Sequence, residues 1–400
     1  MTNNNPQGKK EMRKFILTAV AAAALALPAS ANAADPVRIG VALSQTGNLA
    51  DSAAPYFKGL DLWREQANAR GGLAGHPIEF VIYDDRSDPA TAARLYEKLI
   101  TDDKVNFVMS SLGSATAATG SPVAEKHKIV MINGGGAAEA IQQRGFKYVF
   151  QTAARISSYA DGIVPMIDKY KIKSIALVSR DYAAARDINK AIKEKIKDKD
   201  VKLVMDEYFP AGTADFSSQI AKGEQFQPDL WIGLLYPSEA IETVRQFHSV
   251  NYIPKFFIAN GVSQDDFITS AGKDAEYALG MSLYEPSLPS EGNKDFVKTY
   301  HSKYNADPGY YAAFGFVAGT VLEAAVKQAG SIDTEKVREV LTTLKLGTVM
   351  GKHEVDSTTY MQIGVKGLVV QVQNGKREVI WPEEYKTAEP KLPIPAWDKR

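Results

Sequence analysis

The chain has 400 residues, a length that suits roughly two or three domains. Hydrophobic residues make up 45% and charged residues 24%, an ordinary globular composition that argues against extensive disorder. Forty-seven Lys and Arg balance 47 Asp and Glu, so no basic field draws nucleic acid, and the absence of Cys excludes thiol catalysis, Cys-ligated metals, disulfides and a lipidated N-terminal Cys.

The first residues read as an address. Lys9, Lys10, Arg13 and Lys14 form a positive segment, residues 15–27 are apolar, and Ala31-Asn32-Ala33 follows Pro28 as a small-residue cleavage pattern. This predicts a signal peptide over 1–33, cleaved after Ala33 and already complete from Met12; the alternative is a membrane anchor, for which the apolar run is short. No later stretch is apolar enough to span a bilayer, so a soluble, exported, periplasmic protein is expected.

Strands are predicted over residues 37–43, 78–83, 105–109 and 129–132, with helices over 57–69 and from Asp88-Pro89 to about 100. The theme restarts after Gln151 with strands over 174–178, 201–205, 230–235 and 256–259, and a lysine-rich helix over 188–196. Helices over 297–304 and 312–328 follow, then strands over 369–372 and 378–381 around an Asn374-Gly375 turn, and a proline-rich extended strap over 390–395. Nearly continuous apolar strands alternating with helices indicate α/β architecture, with parallel sheets covered on both faces.

Catalytic constellations are missing from the sequence. The five His residues form no H-x-x-x-H pair, and each reads as a surface or loop histidine. There is no G-x-S-x-G elbow; Ser270-Ala271-Gly272-Lys273 fits S-x-x-K without its companion motifs, and Gly134-Gly135-Gly136 lies in neither phosphate-binding pattern. No cofactor and no metal are expected.

Ligands of open α/β sheets sit beyond the carboxyl ends of the strands. There the first half offers the hydroxyl-rich turn 110–116, whose helix start suits a carboxylate, and the loop 133–138. The second half offers Arg180-Asp181-Tyr182, Leu235-Tyr236 and Asn260-Gly261. Tyr284, Tyr310, Tyr311 and Phe314 add aromatic candidates, although Phe314 and Phe316 read first as core from their helical spacing.

Five segments carry a resemblance: residues 37–41 with Ser44-Gln45-Thr46-Gly47, Asn68 to Gly75, Asp84-Asp85-Arg86-Ser87-Asp88-Pro89, Arg144 to Thr152, and Pro210 to Phe216. In this order they resemble the type I periplasmic solute-binding proteins, most closely the branched-chain amino acid group serving ABC importers. The resemblance implies two Rossmann-like lobes with parallel sheets joined by a three-crossing hinge, closing over one small ligand without catalysis. It places lobe 1 at 35–152 plus 283–355, lobe 2 at 153–282 plus 356–388, and an extended tail at 389–400.

Carried over by residue, the resemblance puts Ser114 on a ligand carboxylate and Gly135 and Ala137 in the next binding loop, where Ala137 replaces a Thr. Tyr182 matches the Tyr that follows the first strand of lobe 2, and Tyr236 stays a strand-end candidate beside it. Asn260 stands where amino-acid binders carry the acid that pairs with the ligand ammonium, and Ser52 or a neighbour stands in place of an aromatic lid. A buried ammonium without its anion costs several kcal/mol. The expected ligand is therefore an organic carboxylate, with an aromatic acid such as a benzoate or phenylpropenoid as the leading choice. Arg155 or Arg180 could clamp it, or either could be a surface arginine near the hinge. A neutral amino acid or amide, a periplasmic sensor role and an exported hydrolase are the alternatives. The expected partners are the small molecule and an inner-membrane ABC permease, with the chain a monomer.

Overall fold

The β-branched run after Asp35 forms β1 (Val37–Leu43), buried along nearly its whole length. It pairs in parallel with β2 (Ile78–Asp84) and β3 (Phe107–Met109); β4 (Met131–Asn133) and β5 (Val149–Gln151) complete a parallel sheet of order β2-β1-β3-β4-β5. Helices α1 (Ala50–Ala69), α2 (Pro89–Thr101), α3 (Ser114–Lys126) and α4 (Glu139–Gln142) connect these strands. α2 begins as expected, with Asp88 accepting from the Thr91 N–H and Pro89 in the first turn. α1 begins at Ala50, well before the apolar spacing from Phe57 suggests, and includes Pro55.

After β5 the chain crosses into a second sheet through a 3-10 turn (Ile156–Ala160) and α5 (Ile163–Tyr170). Strands β6 (Ser174–Arg180), β7 (Lys202–Phe209), β8 (Leu230–Leu234), β9 (Phe256–Ala259) and β10 (Leu279–Ser282) lie parallel in the order β10-β9-β8-β6-β7. Helices α6 (Ala183–Ile196), α7 (Ser217–Phe226), α8 (Pro237–Ser249) and α9 (Asp265–Ala271) link them. β10 has no counterpart among the expected strands, because Gly280 and Ser282 interrupt its short apolar run.

The chain then returns to the first lobe with α10 (Asn293–Tyr304), α11 (Tyr310–Ala329), α12 (Thr334–Leu341) and the hairpin β11 (Leu346–Thr348) and β12 (Gly351–His353). It crosses a last time to add β13 (Leu368–Gln373) and β14 (Lys376–Trp381) antiparallel to the β10 edge. Asn374 and Gly375 both have positive φ, as the tight turn between these strands requires. The proline-rich strap lies on the second lobe: the Ile394 N–H donates to Lys255 O at 2.8 Å, and Trp397 stacks on His248 at 4.6 Å.

This computed structural model describes Met1, residues 34–210 and residues 212–400. The expected signal peptide, apart from Met1, lies outside the described residues. Residues 36–400 form one unit, in which each sheet is buried on both faces. α1 and α11 cover one face of the first sheet at very close approach: a Cβ added to Gly315 would collide with the Tyr56 carbonyl, and one added to Gly59 with the Ala312 carbonyl. No described helix is long and apolar enough to cross a membrane.

His353 departs from the surface-or-loop expectation. It lies in β12 at 0% exposure, with Nδ1 2.9 Å from Gln362 Nε2. Burial lowers its pKa from the ordinary 6.5 to about 4, because the charged ring is poorly solvated there. The folded state thus binds fewer protons than the unfolded chain between those values. The stability tied to the neutral ring is complete above pH 6.5 and is lost as the pH falls toward 4. Urea titrations should show a loss of about 3 kcal/mol over this window that His353→Gln removes. Equal pH slopes in the two proteins would refute the assignment.

Candidate ligand cleft

The carboxyl ends of the first three strands are tied together by one buried carboxylate. Asp85 accepts from Ser44 Oγ at 2.6 Å, from the Ser87 N–H at 2.8 Å and from Ser111 Oγ. This fixes the turn that leads from β3 into α3. Ser110 Oγ accepts from the Gly135 N–H at 2.9 Å, and Gly135 O accepts from the Gly113 N–H at 3.0 Å, which locks the β3 and β4 loops together. Gly113, with φ +99°, is the N-cap of α3, and no side chain caps that helix. Its first N–H groups and positive dipole end therefore face the space in front of Ser114. Ser114 is not itself the cap. Its Oγ accepts from the Ala138 N–H at 3.1 Å, which leaves the hydroxyl proton for another acceptor.

That space is a cavity of about 190 Å³. Ser114, Gly135 and Ala137 line it, together with Leu49, Leu112, Tyr159, Leu283, Tyr310, Tyr311 and Phe314. Aromatic rings form its wall: Tyr310 and Tyr311 lie 4.1 Å apart, and Phe314 meets both edge-on. Tyr159 and Tyr311 both hydrogen-bond Tyr310. Burial raises the Tyr159 and Tyr310 pKa values well above the ordinary 10, so these phenols remain neutral hydrogen-bonding groups. No acidic side chain is among the described residues lining the cavity.

Tyr182, Tyr236 and Asn260 of the second lobe do not line this cavity; Tyr182 and Tyr236 form a second aromatic wall near its Tyr159. Tyr182 and Tyr236 lie 5.4 Å apart, close enough to Tyr159 to raise its pKa electrostatically. Tyr236 is 44% exposed, so this wall is open to solvent. Arg180 Cζ sits 4.4 Å from the centre of the Tyr236 ring, and Nη1 lies 3.5 Å from Glu239 Oε1. Glu239 also accepts from the Tyr236 N–H at 2.9 Å. Burial raises its pKa, opposed by that N–H and by the Arg180 charge.

The other expected site residues are placed differently. Asn260 is tied into the wall, accepting from the Leu235 N–H at 2.8 Å and hydrogen-bonding Tyr182. Ser52 does not line the cavity, whereas Leu49, just before α1, does. Tyr284 turns inward, donating to Asn293 Oδ1 at 2.7 Å, and borders a separate depression of about 100 Å³. Arg155 lies in the crossing segment, its Nε buried without a hydrogen-bond partner among the described residues, and it does not line the cavity. Phe316 packs on Phe296 as core, as its spacing suggests, whereas Phe314 lines the pocket. Tyr159 and Leu283 escaped sequence reasoning, yet both lie on segments where the chain crosses between the lobes, and those border the cleft in a two-lobed fold.

Residues 36–377 match the periplasmic binding protein family. The chain belongs to that family. This periplasmic binding protein is 29% identical over 315 residues to the leucine-, isoleucine-, valine-, threonine- and alanine-binding protein of Pseudomonas aeruginosa, covering 77% of this chain and 83% of that one. Its fold is shared with a solute-binding protein from Rhodopseudomonas palustris in complex with 3,4-dihydroxybenzoic acid, with TM-score 0.75, 22% identity and coverage of 89% and 99%. It is shared too with a branched-chain amino acid transporter substrate-binding protein from Streptococcus pneumoniae in complex with isoleucine, with TM-score 0.73, 24% identity and coverage of 87% and 100%. These relatives are binding proteins of transport systems, and this periplasmic binding protein is a solute receptor, not an enzyme.

Proposed function

We propose that this protein captures a small organic carboxylate in the interlobe cleft, with an aromatic acid such as a benzoate or phenylpropenoid as the preferred ligand, and presents it to an ABC permease. The carrying observation is the pocket itself: an uncapped helix start beside a wall of four aromatic side chains, with no acidic side chain among the described lining residues. A cavity of about 190 Å³ suits a single-ring ligand, since drug-sized ligands occupy ~300–1,000 Å³. The ligand carboxylate meets the Ser114 hydroxyl and the first N–H groups of α3. Burial of one ring face and edge contributes roughly 3 kcal/mol at about 25 cal/mol per Å². Hinge closure then brings the Tyr182–Tyr236 wall over the ring.

A neutral amino acid is the second reading, favoured by the name of the Pseudomonas aeruginosa relative. Its ammonium would need an anion. At the second-lobe wall Glu239 already faces Arg180 and the Tyr236 N–H.

A thermal-shift and calorimetry screen of the mature chain decides between them. Benzoates, cinnamates and aliphatic acids stand against branched-chain and polar amino acids. A ligand at ~100 times its Kd adds about 2.7 kcal/mol of stability. Shifts from leucine-like amino acids alone would overturn the carboxylate reading. Ser114→Ala should weaken benzoate about 10- to 100-fold, the worth of a hydrogen bond to a charged group, while the melting temperature drops by only a few degrees. Unchanged affinity in calorimetry would place the carboxylate elsewhere.

A further inference from the structure

Arg180 ends β6 at the carboxyl edge of the second sheet, beside the end of β8 that leads into Tyr236. Its guanidinium is stacked on the Tyr236 ring at 4.4 Å and is held from one side by Glu239 at 3.5 Å. That ion pair is the one polar contact described for this side chain, which is 28% exposed. A guanidinium has five N–H donors in a fixed fork, so most of them are uncommitted and presented along the wall. Asp181 next to it is engaged by Arg186 at 2.7 Å and does not compete.

We propose that Arg180 is the charge-selecting residue of the second-lobe wall, meeting the anionic group of the ligand when the hinge closes. This rests on the carboxylate reading of the cleft and adds to it a division of labour. α3 and Ser114 hold the anion from the first lobe in the open form. Arg180 supplies the opposite contact only on closure, so a neutral isostere enters the pocket but closes the lobes poorly. Glu239 is the positioning residue: it keeps the guanidinium oriented while leaving its outer N–H groups free.

The test compares benzoate with benzamide by calorimetry on the wild type and on Arg180→Gln and Arg180→Met. The second variant keeps an apolar stem against Tyr236 should the first fold poorly. The wild type should prefer benzoate. In both variants the benzoate-to-benzamide preference should fall about tenfold through weaker benzoate binding, with benzamide affinity unchanged within roughly twofold. Arg180→Lys should restore part of the preference. A purely structural role would weaken both probes alike, and that result, or an unchanged preference, overturns the proposal. A wild type that binds leucine and no benzoate removes the carboxylate reading itself and the role of Arg180 with it.

Discussion

Gly135→Val should abolish measurable binding of the cleft ligand and lower stability by about 2–4 kcal/mol, the sum of overpacking and two lost hydrogen bonds. The reason is the fit of two loops. A Cβ at this position would overlap the Ser111 carbonyl oxygen and sit 2.8 Å from Leu112 Cα. Both obstacles are main chain, so no rotamer change relieves them. The β3 loop has to move away, breaking the Gly113-to-Gly135 and Gly135-to-Ser110 hydrogen bonds. That loop carries the start of α3. A displacement near 1 Å takes its N–H groups out of hydrogen-bond reach of a bound carboxylate, a loss of roughly 100-fold or more. Calorimetry with the best ligand from the screen, paired with a melting curve, checks both halves. Retained binding with lowered stability would show that the helix start is not where the ligand is held.

Gly315→Leu should destabilise the protein further, by about 4 kcal/mol, beyond the usual 1–3 for overpacking because the obstacle is again main chain. α1 and α11 approach so closely that the missing side chains of Gly59 and Gly315 define the crossing. Leucine at Gly315 forces Tyr56 O and Leu60 N away from α11, and Trp63 lies against Gly319 one turn on. Denaturant unfolding followed by tryptophan fluorescence should show a midpoint shift at unchanged slope. Gly315→Ala, with the same collision but less bulk, should give a smaller loss. Equal stability of wild type and Gly315→Leu would mean that the helices slide past each other without strain.

Much of this fold was readable because buried parallel strands carry their own signature. The expected strands near 37–43, 78–83, 174–178, 230–235 and 256–259 coincide with β1, β2, β6, β8 and β9, all rich in β-branched or aromatic residues. β10 was not readable, since its Gly280 and Ser282 look like a loop until β9 and β13 flank it. In the cleft, the rule that strand ends bind ligands pointed to the loops 110–116 and 133–138, and Ser114, Gly135 and Ala137, named within them from the family resemblance, line the cavity. Side-chain direction was beyond that rule. Tyr284 sits at a strand end, yet its hydroxyl is claimed by Asn293. Leu49 lines the cavity from the N-cap of α1, a helix that starts earlier than its apolar spacing implied. His353 gave no sign of burial, because its partner Gln362 lies beyond the hairpin that holds it.

The weaving of the chain between its two sheets has a bearing on how the molecule assembles. β10, laid down near residue 280, finds its antiparallel neighbour only in β13 near residue 370. In between, the chain builds α10, α11 and α12 on the other lobe. Neither half is therefore a continuous stretch that a protease or a gene truncation could release intact. The second sheet keeps an unpaired edge at β10 until the last crossing has been made, and such an edge is where chains stick to one another. Completing the second sheet needs a loop closure of high sequence separation, which slows folding.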